Sequence, residues 1–173
     1  EGTKLGNYFK SVHYADSALG EFIDRLDEEG LLDNTVLVIY GDHDARLPQK
    51  DYVRLFNYDT TTDSVKSSDD PTYFNFDSYQ YELNRKVPFI IWSKDEKYET
   101  EVTDVMGMYD ATPTLANMLG VKHSKYVLGH DIFNIKEDNV VVLPNGNFIT
   151  NKVYYNNSTE EYYARSNSVI DED

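Results

Sequence analysis

Five apolar residues in unbroken succession, Val36-Leu37-Val38-Ile39-Tyr40, run straight into Gly41-Asp42-His43-Asp44. The run is too short for a helix of ordinary length and is rich in β-branched side chains. It predicts a strand covered on both faces, as in parallel sheets flanked by helices. In open α/β sheets, ligands bind beyond the carboxyl ends of the strands. Here a carboxylate and an imidazole reach that edge together. Oxygen and nitrogen donors of this kind suit a divalent ion such as Mn2+ or Zn2+, so Asp42 and His43 are candidate metal ligands. The competing reading is a polar turn in which either side chain caps the next element, because two adjacent residues are a weak motif.

Charge narrows the partners. The 173 residues carry 31 Asp and Glu against 16 Lys and Arg, a formal net charge of −15. Nucleic acid is excluded as a partner, since phosphate contact needs clustered cations, and whole-chain charge argues equally against adhesion to anionic lipid. An anionic substrate would be received best by a bound cation. There is no cysteine, so disulfides and thiolate-bound zinc are excluded. No stretch approaches the ~20 apolar residues of a membrane span. The chain opens on Glu1 rather than Met, which leads to the expectation of a piece of a longer protein.

Along the chain, Phe9, Val12, Leu19, Phe22, Ile23 and Leu26 recur at three- and four-residue steps and predict an amphipathic helix over 8–29, capped by Asn7 and closed by Gly30. Asp16 falls on its apolar stripe and is expected to be a hydrogen-bonded structural carboxylate; His13 reads as a surface or packing residue. Residues 46–83 carry little periodicity beyond a short helix at 51–57. A polar connection of this length is often a substrate loop. The aromatics Tyr73, Phe74, Phe76, Tyr79 and Tyr81 at its end read first as strand packing and second as a groove lining. Arg46 and Lys50 read first as solvated loop charges and second as cations that reach an anionic substrate. Lys86 to Ser93 is a second buried strand with Pro88 near its start. Asp110 to Leu119 is a short helix with Pro113 in its first turn and Gly120 past its end. Val140 to Ile149 predicts a hairpin with a type I′ turn at Asn145-Gly146, and Lys152 to Tyr163 a second one. The division is therefore an α/β part over 1–137 and a small antiparallel β subdomain over 138–173.

Several separated strings resemble one family. Tyr8-Phe9-Lys10-Ser11-Val12-His13-Tyr14-Ala15-Asp16 is similar to the helix before the last metal-binding strand of sulfatase-fold enzymes in the alkaline phosphatase superfamily. Gly41-Asp42-His43 resembles their late metal-binding motif, Arg85-Lys86-Val87-Pro88-Phe89 their next core strand, and Asp110-Ala111-Thr112-Pro113-Thr114-Leu115 their Asp-x-x-Pro-Thr-Leu helix. Gly129-His130-Asp131-Ile132 and Asn145-Gly146-Asn147-Phe148-Ile149 resemble phosphoglycerol transferases of the lipoteichoic acid synthase type. The fold this implies is part of an alkaline-phosphatase/sulfatase-like sandwich with a C-terminal antiparallel β subdomain.

By that resemblance, Asp42 and His43 match a late pair of ligands to a divalent metal, Mn2+ first, with Mg2+, Ca2+ and Zn2+ as alternatives. The substrate would be an anionic phosphatidylglycerol-type lipid, with glycerol phosphate moved to a cell-envelope polymer on the extracellular face of a bacterial membrane. The family's nucleophile, its early carboxylate ligand and a membrane-spanning region are expected upstream of Glu1, so the chain alone is expected to be inactive. Sulfatases often carry a Gly-Gly pair before the Arg-Val-Pro strand; here no glycine occurs between Gly41 and Gly107, which favours phosphoglycerol over sulfate esters. The alternatives are a sulfatase or phosphodiesterase of the same fold, and a non-catalytic glycan-binding domain using the tyrosines. An exposed sheet edge is expected to permit a dimer.

Overall fold

The computed structural model describes residues 2–95, 100–136 and 138–165. They form two compact units, Glu1–Glu99 and Thr100–Asp173, so the shift in composition near 138 lies inside the second unit. Mixed α/β structure in the first and antiparallel β structure in the second agree with a sulfatase-fold fragment.

The first unit opens with helix α1, Lys4–Glu28. It starts four residues earlier than the apolar period predicts, because Thr3 rather than Asn7 is the cap: Thr3 Oγ1 accepts from Gly6 N at 3.1 Å. At the other end Gly30 takes the left-handed conformation expected of it (φ 69°). No residue of α1 is buried, and Phe9, Val12 and Phe22 on its apolar stripe are exposed. Asp16 is exposed too, so the hydrogen bond that burial would have demanded of it is not required.

Strand β1 is Val36–Tyr40 and strand β4 is Phe89–Ser93. They pair antiparallel in the register Val36↔Ser93 to Tyr40↔Phe89. The expectation of a parallel strand buried on both faces is thereby corrected. An apolar run reports what a strand is suited to bury, not the direction of its neighbour. Apolar side chains do point to both faces, but Val36, Tyr40, Ile90 and Trp92 remain exposed, and neither strand has a second neighbour among the described residues.

The stretch between these strands, expected to be mostly loop, holds the core of the unit. It contains α2 (Gln49–Phe56), the β2–β3 hairpin (Tyr58–Asp59 with Ser64–Val65) and α3 (Ser78–Leu83). Leu47, Tyr52 and Phe76 are buried together. Phe76 stacks on Tyr52 at 5.3 Å and on Phe56 at 5.1 Å, and Tyr81 meets Tyr52 edge-on. The aromatics of 73–81 thus pack in a loop and on a helix, not along a strand. Asn57 is fully buried. Its carboxamide donates to Val53 O and Phe74 O, both at 2.9 Å, and accepts from Phe74 N at 2.7 Å. One side chain so satisfies backbone groups that no ladder pairs.

The second unit is built on an equivalent device. A 3-10 turn, Met108–Asp110, leads into α4, Ala111–Met118. The buried Asp110 carboxylate accepts from Gly107 N (2.8 Å), His130 N (2.8 Å) and Asn139 Nδ2 (2.9 Å). Thr114 Oγ1 donates to Asp110 O at 2.7 Å and accepts from Ile132 N at 3.1 Å. Gly129 must be glycine: its φ is +92°, and a Cβ there would lie 2.3 Å from Tyr109 O. A four-stranded antiparallel sheet comes next, in the order β5 (Val141–Val142), β6 (Phe148–Ile149), β7 (Val153–Asn156), β8 (Glu161–Ala164). The β5–β6 turn is not type I′. Leu143 O accepts from Gly146 N and Leu143 N donates to Asn147 O, while only Gly146 has positive φ. That is a type I turn with a glycine bulge after it, to which Pro144 at the first corner is suited.

Replacing Asp110 with Ala removes the acceptor of the buried Gly107 amide, of the part-buried His130 amide and of one Asn139 Nδ2 bond. The expected loss is about 2–4 kcal/mol in urea unfolding monitored in the second unit. A change below about 1 kcal/mol would show that the carboxylate is not what joins 107, 130 and 139.

Candidate metal centre

The site begins where β1 ends. Gly41 N donates to Pro88 O at 3.1 Å, which prolongs the β1–β4 ladder by one residue. At this point the two chains come closer than a side chain allows. A Cβ on Gly41 would lie 2.8 Å from Val87 Cβ and 3.0 Å from its Cγ1. The backbone then leaves the sheet, and Asp42 and His43 project from the first free residues.

His43 Nδ1 lies 2.6 Å from the backbone O of Asp44. A carbonyl oxygen only accepts, so Nδ1 carries the proton and, in neutral imidazole, the lone pair is on Nε2. Nε2 is 3.7 Å from Asp42 Oδ1. That exceeds a hydrogen bond, but one ion at about 2.1 Å from each atom reaches both. The residues therefore fit a divalent metal: a nitrogen donor with fixed tautomer, a carboxylate beside it, and a backbone partner orienting the ring. That partner has no signature in the sequence, because any residue has a carbonyl. Among the described residues no group of three or more His, Cys, Asp or Glu could hold a metal, so the described part of the chain brings two donors together.

Asp44 is occupied differently. Its Oδ2 accepts from Arg46 N at 3.1 Å, and its Oδ1 is 3.6 Å from Arg85 Nε. It holds the turn shut, with Arg46 in left-handed backbone (φ 50°). Beside it is a concavity of about 270 Å3, lined among others by Tyr8, His43, Asp44, Leu47, Tyr52 and Lys86. His43 is half-exposed at its wall, at 49%; Asp42, 85% exposed, is not among the lining residues. Burial, and then the Asp44 carboxylate, hold the Tyr52 phenol above its ordinary range, so it stays protonated at neutral pH. Lys86 supplies a cation at the wall. Its only mark in the sequence is its place before a strand. Arg46 and Lys50 are exposed and do not line the concavity.

Gly41→Ala forces Val87 and the end of β1 apart. The expected cost is about 1–3 kcal/mol of stability, and Val87→Gly in the same chain should recover part of it. Additive effects in the double-mutant cycle would rule out this contact as the cause.

Comparison with known proteins places the chain in a family. The sulfatase family model matches residues 2–121. Lipoteichoic acid synthase 2 of Bacillus subtilis is 31% identical over 169 residues, covering 97% of this chain and 24% of the relative. The lipoteichoic acid synthase-like protein YvgJ of the same organism is 33% identical over 159 residues, 90% of this chain and 24% of the relative. Lipoteichoic acid synthase of Staphylococcus aureus is 29% identical over 173 residues, 96% of this chain and 23% of the relative. The chain spans about a quarter of the length of these relatives. Gly41, Asp42 and His43 lie within the matched span, and the chain belongs to the sulfatase family.

Proposed function

We propose that this chain is part of a metal-dependent phosphoglycerol transferase that acts on a phosphatidylglycerol-type lipid in cell-envelope polymer synthesis, on the extracellular face of a bacterial membrane. The observation that carries the proposal is the pair at the end of β1: His43 with its Nε2 lone pair free, 3.7 Å from Asp42 Oδ1, in a chain of this family. The names of the relatives point to lipoteichoic acid synthesis, and the phosphatidylglycerol-type donor is what the family resemblance implies. Asp42 and His43 would hold the ion, Mn2+ in first place. When bound, it would lower the pKa of a hydroxyl nucleophile and offset charge on phosphoryl oxygens. The Asp44 carbonyl keeps the imidazole in the ligating tautomer. Lys86 and the Tyr52 hydroxyl offer a cation and a hydrogen-bond donor in the adjoining concavity.

Two donors do not complete a metal site, and no Thr of this chain matches the family's nucleophile motif. The chain by itself is therefore proposed to be inactive, the remaining groups lying elsewhere in the protein. The apolar residues on both faces of β1 and β4 favour the same view, since strands of this kind are suited to be flanked and covered. The rest of a sulfatase-family domain is the proposed cover, and a second copy pairing at the edge is the alternative.

A non-catalytic glycan-binding role is favoured by a different observation. One face of the β5–β8 sheet carries a cross-strand row of Val142, Phe148, Tyr155 and Tyr162, with Phe148–Tyr155 at 5.0 Å and Tyr155–Tyr162 at 4.7 Å.

Mn2+ titration of the protein carrying the whole sulfatase-family domain separates the readings. Asp42→Ala and His43→Ala are each expected to weaken Mn2+ binding by about a hundred-fold or more and to abolish release of diacylglycerol from phosphatidylglycerol, with an unchanged unfolding midpoint in the absence of metal. Unaltered Mn2+ affinity in both variants would refute the metal assignment and favour the binding module.

A further inference from the structure

The segment after α4 departs from the rest of the chain in charge and in what it exposes. From Met118 to Lys136 there are three lysines, Lys122, Lys125 and Lys136, against one carboxylate, Asp131, in a chain whose net charge is −15. Asp131 is turned to local work, accepting from Phe133 N and Asn134 Nδ2. The same nineteen residues expose Leu119, Val121, Tyr126, Leu128 and Phe133. Tyr126 at 81% and Leu128 at 78% are more exposed than any other large apolar side chain described. A monomeric surface rarely leaves several such groups together without a use for them.

Their presentation is ordered. Val127 N donates to Ser124 O at 3.1 Å and Tyr126 N to Ser124 Oγ at 3.2 Å, so Lys125 and Tyr126 occupy the corner of a β-turn. The Lys125 ammonium lies 5.1 Å from the centre of the Tyr126 ring. Beside the turn is a concavity of about 450 Å3 lined by Pro113, Asn117, Val121, Lys122, His123 and Asp131. His123 Nδ1 lies 3.0 Å from Ser124 O, so, as with His43, Nδ1 carries the proton and the neutral ring keeps Nε2 free.

We propose that the 119–136 segment docks on the surface of an anionic phospholipid bilayer, with Tyr126 and Leu128 entering the headgroup boundary and Lys122 and Lys125 meeting lipid phosphates. Charge complementarity and exposed apolar side chains occur here on one short segment, which is the combination that interfacial binding requires. Tyr is suited to that boundary because its ring is apolar and its hydroxyl wet. Lysine stems lie along apolar surface while their ammonium groups reach phosphate. Acidic residues oppose the contact only where they lie near it, because charges more than about 8 Å away are screened at physiological salt. The whole-chain argument against anionic lipid is a sum over 31 carboxylates and does not describe this segment alone.

Co-sedimentation of the protein carrying the whole sulfatase-family domain with vesicles tests this in EDTA, where the proposed metal site is empty, so the outcome is independent of the transferase reading. Vesicles of phosphatidylglycerol and phosphatidylcholine in equal parts are expected to retain the chain at about 0.1 M salt, and vesicles of phosphatidylcholine alone to retain it at least ten-fold less. The paired charge reversal Lys122→Glu/Lys125→Glu should weaken partition about thirty-fold or more. Tyr126→Ser/Leu128→Ser should weaken it about ten-fold without altering the far-ultraviolet circular dichroism. Absence of retention on the anionic vesicles, retention unchanged in both double variants, or release by soluble glycerol phosphate as complete as that caused by the charge reversal would each overturn the proposal.

Discussion

Backbone groups that lie outside helices and ladders must still find partners when they are buried, and that requirement shapes both units. The core that closes around Leu47, Tyr52 and Phe76 is small, and the loops beside it have no sheet to join. Asn57 answers with a carboxamide, which has both donors and an acceptor and so can serve a peptide's N–H and C=O at once. At Asp110 three donors converge from 107, 130 and 139. An acceptor with two oxygens meets that demand. The two buried polar residues are thus different in kind because the groups they satisfy are different in kind.

The candidate metal pair depends on this framework one step removed. Asn57 and the stacked aromatics fix α2 and Leu47, which form one wall of the concavity beside His43. The opposite constraint comes from Gly41, where the approach to Val87 leaves no room for a side chain. Between them the Asp44 turn is held by a backbone amide and a guanidinium, and its carbonyl sets the His43 tautomer. No strongly shifted acid or base is needed for this arrangement. Its chemistry lies in which nitrogen holds the proton.

What could be read in the amino-acid order was local. The Val36–Tyr40 strand, the helix at 111–118 and the two C-terminal hairpins carry their signals within a few residues: an apolar run, Pro113 and Gly120, and the pairing of apolar stretches across Asn-Gly. Departures arise where the deciding partner is remote or of a general type. The direction of the β1–β4 pair depends on a strand about fifty residues away. The 46–83 stretch has no period because its order comes from Asn57 and from rings stacked across turns. The turn at 143–147 departs from type I′ because Pro144, whose fixed φ suits the first corner of a type I turn, outweighs Asn145-Gly146. The family match covers 2–121 and so holds the strings at 8–16, 41–43, 85–89 and 110–115, while those at 129–132 and 145–149 lie beyond it, in the part of the chain matched to the lipoteichoic acid synthases; none was decisive singly. His43 could be singled out in the sequence as a candidate; the carbonyl that orients it could not.

Net charge illustrates the same limit from the other side. A value of −15 is a sum over the whole chain, whereas a surface interacts through the groups within about a Debye length of contact. Residues 118–136 hold three lysines against one carboxylate, which accepts from a local turn, while Asp138, two residues on, is paired with Lys152 at 3.0 Å. A neighbouring acid that is already paired presents a weaker field than its formal charge suggests. The local sign is set by which carboxylates are engaged and which ammonium groups are free to move. Those are properties of the folded arrangement, and through them an acidic protein can carry a segment whose local charge differs in sign from its total.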